Sequence, residues 1–171
     1  MPFSLLPKLI SPSLTHLTPE LLREKGVRLL MLDFDNTIVP YTTSVPTPEM
    51  AAWLKAMGKV PDLSVCVVSN SHKDRVRLFC AEYGLDCITH AKKPFSRGIR
   101  QCLDRYAVAP SQAALVGDQI YTDTLGANCA GVMSILVKAI DNHNFWLKAR
   151  HVLELPFIFA ARKRRIGYEK H

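Results

Sequence analysis

The feature that most narrows the fold is a repeated alternation of short apolar runs with helix-length stretches. Val27–Phe34 (VRLLMLDF), Leu63–Ser69 (LSVCVVS), Ala113–Asp118 (AALVGD) and Val132–Val137 (VMSILV) are nearly continuous in aliphatic residues, with a shorter run at Cys87–His90. Apolar runs of this length, without alternating polar positions, suit strands buried on both faces. Between them lie segments carrying helix punctuation. Thr47 and Pro48 open a helix to Met57, and Lys73–Tyr83 stops at Gly84. Ser96 opens another to about Tyr106, and Tyr121–Ala130 stops at Gly131. This order predicts an α/β chain with a five-stranded, mainly parallel sheet, right-handed crossovers and helices on both faces. No repeat or low-complexity linker interrupts it, so 1–171 is expected to be one domain. Within it, 1–26 reads as an amphipathic N-terminal segment, 27–140 as the core and 141–171 as a basic helical segment.

In a parallel sheet the carboxyl ends of all strands lie on one edge, where ligands of open α/β sheets bind. Here those ends carry the reactive residues. The first run ends in Asp33-Phe34-Asp35-Asn36-Thr37 and the second in Ser69-Asn70. The third is followed by Lys92-Lys93-Pro94, and the fourth ends in Gly117-Asp118, with Asp123 five residues on. Each element alone has an ordinary explanation. A D-x-D is often a loop pair, Ser-Asn and Gly-Asp are common turns, Lys-Pro is usually solvated, and Asp123 can cap a helix. Their joint order at successive strand ends is what selects a chemistry.

That chemistry is phosphoryl transfer. A carboxylate such as Asp33 can attack phosphorus and form an aspartyl-phosphate. A divalent cation must then screen the phosphate oxygens, and Mg²⁺ prefers oxygen ligands. Asp33 and Asp118 offer carboxylates, and Asp35 offers a backbone carbonyl. Asp35 can protonate the leaving oxygen and later deprotonate the attacking water. Ser69 and a lysine can hold the phosphoryl oxygens and neutralise the clustered acids. Asn36, Thr37, Ser69, Asn70 and a lysine at Lys92 or Lys93 are candidate phosphate contacts, and Asp123 a supporting acid.

The order of these residues resembles the haloacid dehalogenase (HAD) superfamily of phosphohydrolases. DFDNT matches its D-x-D-x-T motif, VVSN its hydroxyl after a buried strand, KKP its lysine, and GDQIYTD its final acidic pair. The resemblance favours Lys93 over Lys92 and implies a Rossmann-like sheet of order 5-4-1-2-3 with Mg²⁺ dependence. Few residues separate Thr37 from Ser69, or Ser69 from Lys93. The chain thus resembles the third, capless subclass, with an open site suited to large or surface-bound substrates. The proline-broken segment SLLPKLISPSLTHLTPELLREKGVRLLMLDFDNTIVPY, together with AKKP and GDQIYTD, is similar to the YqeG-type branch. That branch includes phosphatidylglycerophosphate phosphatases, and AKKP departs from its usual ARKP. The resemblance implies dephosphorylation of phosphatidylglycerophosphate to phosphatidylglycerol in phospholipid synthesis. The alternatives are a soluble phosphatase acting on a phosphosugar, nucleotide or nucleic-acid end, and a non-catalytic binding module.

Charge and cysteine usage refine this. Residues 138–171 hold eight basic and three acidic side chains, whereas 28–137 are nearly balanced at eleven and ten. Such a basic end favours an anionic partner. The five cysteines form no C-x-x-C pair, and several sit in apolar runs, which indicates a reducing compartment. No run reaches the length of a membrane span and no secretory signal is expected. Two segments read as interfacial anchors or as core: Met1–Ile10, with Phe3, Leu5, Leu6, Leu9 and Ile10, and Leu155–Ala161 before Arg162-Lys163-Arg164-Arg165. Phe145 and Trp146 are open in the same way. The expectation is peripheral attachment at an anionic phospholipid surface, with no dedicated nucleic-acid partner.

Overall fold

The apolar runs assemble edge to edge into one sheet in the computed structural model, which describes residues 4–141. The strands are β1 (Leu9–Ser11), β2 (Leu29–Leu32), β3 (Ser64–Val68), β4 (Asp86–Ile88), β5 (Ala113–Gly117) and β6 (Met133–Val137). Their spatial order is β1-β6-β5-β2-β3-β4, and every pairing is parallel. Strands β2–β6 reproduce the expected order. The strand count is corrected from five to six, because the N-terminal segment supplies β1. Leu9 pairs with Ile135 and Ser11 with Val137, so the backbone edge of β6 is covered.

The same segment is fastened by side chains. Asn128 Nδ2 donates to the carbonyls of Ser4 (2.7 Å) and Leu6 (3.0 Å), and its Oδ1 accepts from Ser134 Oγ (2.9 Å). Trp53 Nε1 donates to the Leu17 carbonyl at 2.9 Å. Leu9, Leu14, Leu17 and Leu22 are all buried. From Ser4 onward, then, the N-terminal leucines are part of the fold: Leu9 lies in the core, while Leu5, Leu6 and Ile10 are half-buried. The C-terminal anchor at Leu155–Ala161, its Arg-Lys cluster and the residues Phe145 and Trp146 lie outside the described residues.

Alternate residues of each strand feed opposite faces, as the strand period of two requires. Leu30, Leu32, Val65, Val67, Ala114 and Val116 pack under α1 (Pro19–Glu24), α2 (Pro48–Met57) and α3 (Arg75–Tyr83). Leu29, Met31, Cys66, Val68, Ala113 and Leu115 pack under α4 (Arg97–Tyr106) and α5 (Leu125–Ala130). Thr47 caps α2 by accepting from the Met50 N–H at 3.2 Å. Only α2 lies between β2 and β3, and only α3 between β3 and β4, so neither connection carries a cap domain.

Candidate active site

Asp33 is the first residue beyond β2, and its N–H donates to the Val116 carbonyl at 2.8 Å, which holds the residue against β5. The chain then turns sharply. Asn36 takes the left-handed conformation (φ 60°), which asparagine tolerates better than most residues, and its N–H donates to Val39 O at 2.7 Å. The turn brings Thr37 back, so that its Oγ1 donates to Asp33 Oδ2 at 3.4 Å.

Lys93 reaches the same point from the far side of β3. It is buried, and its Nζ lies 2.6 Å from Asp33 Oδ1 and 2.7 Å from Asp123 Oδ1. Asn70 positions it by a two-point clamp. Asn70 Oδ1 accepts from the Lys93 N–H at 2.7 Å, and Nδ2 donates to the Lys93 carbonyl at 2.9 Å. Burial works against the ammonium charge, but Asp123 and then Asp33 outweigh it and hold the lysine above its usual pKa.

The other acids come from β5. Asp118 follows the strand directly, and a π-helical turn over Ile120–Thr124 then carries Asp123 inward. Asp123 Oδ2 accepts from the Gln119 N–H at 3.1 Å. Gly117 makes the approach feasible, since a Cβ there would overlap the Asp123 carboxyl group. Burial raises Asp123 to about 6; Lys93 opposes that rise and Asp33 adds to it. Carboxylate oxygens of Asp33, Asp118 and Asp123 lie within 4.8 Å of one another. These three buried carboxylates face one buried ammonium, Lys93, among the described residues. The all-oxygen donor set and the excess negative charge fit a hard divalent cation.

Asp35 stands apart from this cluster. Its carboxylate is ion-paired with Arg75 at the start of α3. Burial raises the Asp35 pKa; Arg75 opposes the shift and Asp33 adds to it. Arg75 also donates to the carbonyls of Tyr41 (3.0 Å) and Thr43 (3.3 Å), and its guanidinium lies 5.1 Å from the Phe34 ring centroid. It therefore ties Asp35 to the loop that follows β2. Asp33, Asp35, Ser69, Asn70 and Lys93 line one cleft of about 350 Å³, with Tyr41, His72, Lys73 and Arg75 toward its mouth.

Comparison with known proteins shows the family of the chain. A family model described as mitochondrial PGP phosphatase matches residues 1–140. The chain belongs to the PGP phosphatase family. It is a phosphatase with the HAD fold, and neither connection around β3 carries a cap. The PGP phosphatase family member is 33% identical over 132 residues to the probable phosphatase YqeG of Bacillus subtilis, covering 77% of this chain and 76% of that protein. It is 24% identical over 171 residues to phosphatidylglycerophosphate phosphatase 1, chloroplastic/mitochondrial, of Arabidopsis thaliana. That match covers 95% of this chain but 49% of the relative, so the chain spans about half of that protein's length. The cobalt-bound deoxy-D-mannose-octulosonate 8-phosphate phosphatase YrbI of Haemophilus influenzae shares the fold. Its TM-score is 0.52 at 12% identity, with 74% of this chain and 75% of that one covered.

The structure thus brings together Asp33, Asp35, Ser69, Asn70, Lys93, Asp118 and Asp123. Thr37 touches Asp33 from behind. Asn36 is fully buried and holds the left-handed turn, and it is not among the residues that line the cleft. The carboxylate cluster is Asp33, Asp118 and Asp123; the sequence reading counted the carboxylates of Asp33 and Asp118 with the Asp35 carbonyl and placed Asp123 in support. Arg75 was not anticipated. The only trace of it in the sequence is a basic residue soon after Ser-Asn, and helices commonly begin with such residues.

Proposed function

We propose that this phosphatase converts phosphatidylglycerophosphate to phosphatidylglycerol and phosphate through an aspartyl-phosphate on Asp33, with Mg²⁺ as its metal. The observation that carries the chemistry is the Lys93 ammonium between Asp33 and Asp123, beside Asp118. The lipid substrate is supported by the family match over residues 1–140 and by the open, capless cleft.

Asp33 attacks phosphorus, and the P–O bond to the glycerol oxygen breaks. Asp35, whose burial favours its protonated form, gives that oxygen its proton. A water then attacks phosphorus, yields its proton to Asp35, and the phosphorus–Asp33 bond breaks to release inorganic phosphate. Lys93 pairs with Asp33 and offsets charge on the phosphoryl oxygens. Ser69 Oγ, which accepts from the Ser71 N–H at 3.0 Å, offers its own proton to those oxygens. Asp33 and Asp118, the Asp35 carbonyl and Asp123 would hold the cation, which supplies electrostatic screening of the phosphate.

The test is thin-layer analysis of labelled phosphatidylglycerophosphate incubated with the purified full chain and Mg²⁺. Conversion to phosphatidylglycerol is expected, with loss on chelation and in Asp33→Asn. Turnover of a soluble aryl phosphate with no conversion of the lipid would refute the substrate. Full activity in Asp33→Asn would remove it as nucleophile.

A further inference from the structure

Five large apolar side chains are exposed among the described residues: Tyr41, Val45, Leu78, Phe95 and Ile140. Four of the five lie on loops at the carboxyl edge of the sheet. Tyr41 and Val45 follow β2, Phe95 follows β4, and Ile140 follows β6. Phe95 and Val45 are the most exposed of all, at 73% and 72%. Ile140 stands beside the catalytic turn, since its N–H donates to the Asn36 carbonyl at 2.9 Å. Tyr41 borders the cleft itself. None of the five lies on a loop at the opposite edge.

The exposed charges on this edge are mostly basic. Its exposed ionisable side chains include His72, Lys73, His90, Lys92, Arg97 and Lys138, against two exposed acids, Glu49 and Asp74. Beside Phe95 a shallow groove along α4 holds Arg97 and Arg100, with Asp104 at its far end. The opposite edge is mixed, with Lys25, Arg28 and Lys59 near Glu24 and Asp62. Aromatic and aliphatic tips among lysines and arginines suit the boundary between anionic headgroups and acyl chains. A protein partner would need shape complementarity, whereas separate loop tips of this kind need only a fluid surface.

We infer that the catalytic edge is itself the membrane-docking face: Val45, Phe95 and Ile140 insert into an anionic lipid bilayer while the lysine and arginine rim contacts headgroups, with the cleft opening onto the surface. The inference rests on the lipid-substrate reading and gives it a geometry. It assigns attachment to the rim of the active site rather than to the N-terminal segment, which pairs with β6 and is fastened by Asn128. A phosphomonoester headgroup then meets Asp33 without the lipid leaving the bilayer.

The test uses the full chain and Val45→Glu/Phe95→Glu, two positions outside the cleft. Sedimentation with substrate-free phosphatidylcholine vesicles, with and without phosphatidylglycerol, reads docking. A soluble aryl phosphate reads the intact site. The wild type should pellet with anionic vesicles and release at high salt. The variant should lose at least about tenfold in partition and keep aryl phosphate turnover. Equal pelleting of variant and wild type would overturn the inference and shift attachment to residues 142–171. A change from dimer to monomer in the variant, with vesicle binding unaltered, would overturn it too, by making the patch a contact between copies. The substrate reading fails separately. Phosphatidylglycerophosphate in detergent micelles, where docking is bypassed, would then stay phosphorylated although the wild type binds vesicles.

Discussion

Replacing Lys93 by methionine isolates the electrostatic logic of the site. Methionine keeps most of the side-chain volume but removes an ammonium that lies 2.6 Å from Asp33 and 2.7 Å from Asp123. Removing one partner of a buried ion pair costs about 3–5 kcal/mol, because the remaining charge is left uncompensated. With a urea m-value of about 2 kcal/mol/M, the midpoint of the metal-free protein should fall by about 1.5–2.5 M. Two controls separate this from a packing defect. First, the variant site is more negative, so it should bind Mg²⁺ more tightly. A tenfold gain in affinity corresponds to about 1.4 kcal/mol of extra stabilisation at saturating metal. Second, Asp123 already has its pKa raised to about 6 in the folded wild type. A carboxyl raised on folding contributes stability that is present below its unfolded pKa and is lost as pH rises through the folded one. Without Lys93 that folded value climbs further, so lowering the pH from about 8 to about 5 should recover part of the variant's deficit. Urea titrations followed by fluorescence, in chelator and in Mg²⁺, at both pH values, measure all three effects. A metal-free midpoint equal to that of the wild type would refute the claim that Lys93 neutralises the buried acids. A deficit insensitive to pH and metal would mean that only packing was lost.

Three further outcomes follow from named contacts. Arg75→Ala frees the Asp35 carboxylate and the loop at Tyr41 and Thr43, so kcat on a soluble aryl phosphate should fall by about a hundredfold with KM little changed. Partial recovery in Arg75→Lys would support positioning, whereas a rise in KM alone would show substrate binding instead. Gly117→Ala drives a methyl group into the Asp123 carboxyl and should cost about 1–3 kcal/mol, read as a lower melting temperature; an unchanged melt would mean that Asp123 has room to move. Burial, then the hydrogen bond to Asp86 (2.7 Å), raises the Tyr106 pKa. This contribution to stability is therefore lost as pH rises above about 10, and Tyr106→Phe should flatten that alkaline decline in denaturant titrations.

The elements that sequence reading captured are those whose signal is local. The runs at Leu29–Leu32, Val65–Val68 and Ala113–Gly117 carry no polar side chain because helices cover both faces, and a continuous apolar run announces itself. Strand β1 does not. Leu9–Ser11 is three residues between prolines, too short to show any period, and only its pairing with β6 makes it a strand. The strand-end acids were visible for a similar reason: polar residues directly after buried strands stand out, and in a parallel sheet they share an edge. What their side chains do past that point depends on backbone turns. The left-handed Asn36 looks identical in sequence to a residue facing phosphate, yet its conformation puts the amide inside the protein. The π-helical turn at Ile120–Thr124 has the same effect on Asp123. An ordinary helix start there reads as a cap, whereas the wider turn swings the carboxylate to Lys93. Arg75 is the extreme case. It is separated from Asp35 by 40 positions, and the two meet only because β2 and β3 are neighbours with their carboxyl ends level. Any basic residue opening α3 satisfies the local pattern, so the ion pair is a consequence of register. Shifting the β2–β3 pairing by one residue would turn the side chains of one strand to the opposite face and separate Asp35 from Arg75. The alignment of Leu29 with Ser64 is thus as much a determinant of where Asp35 sits as the D-x-D motif is.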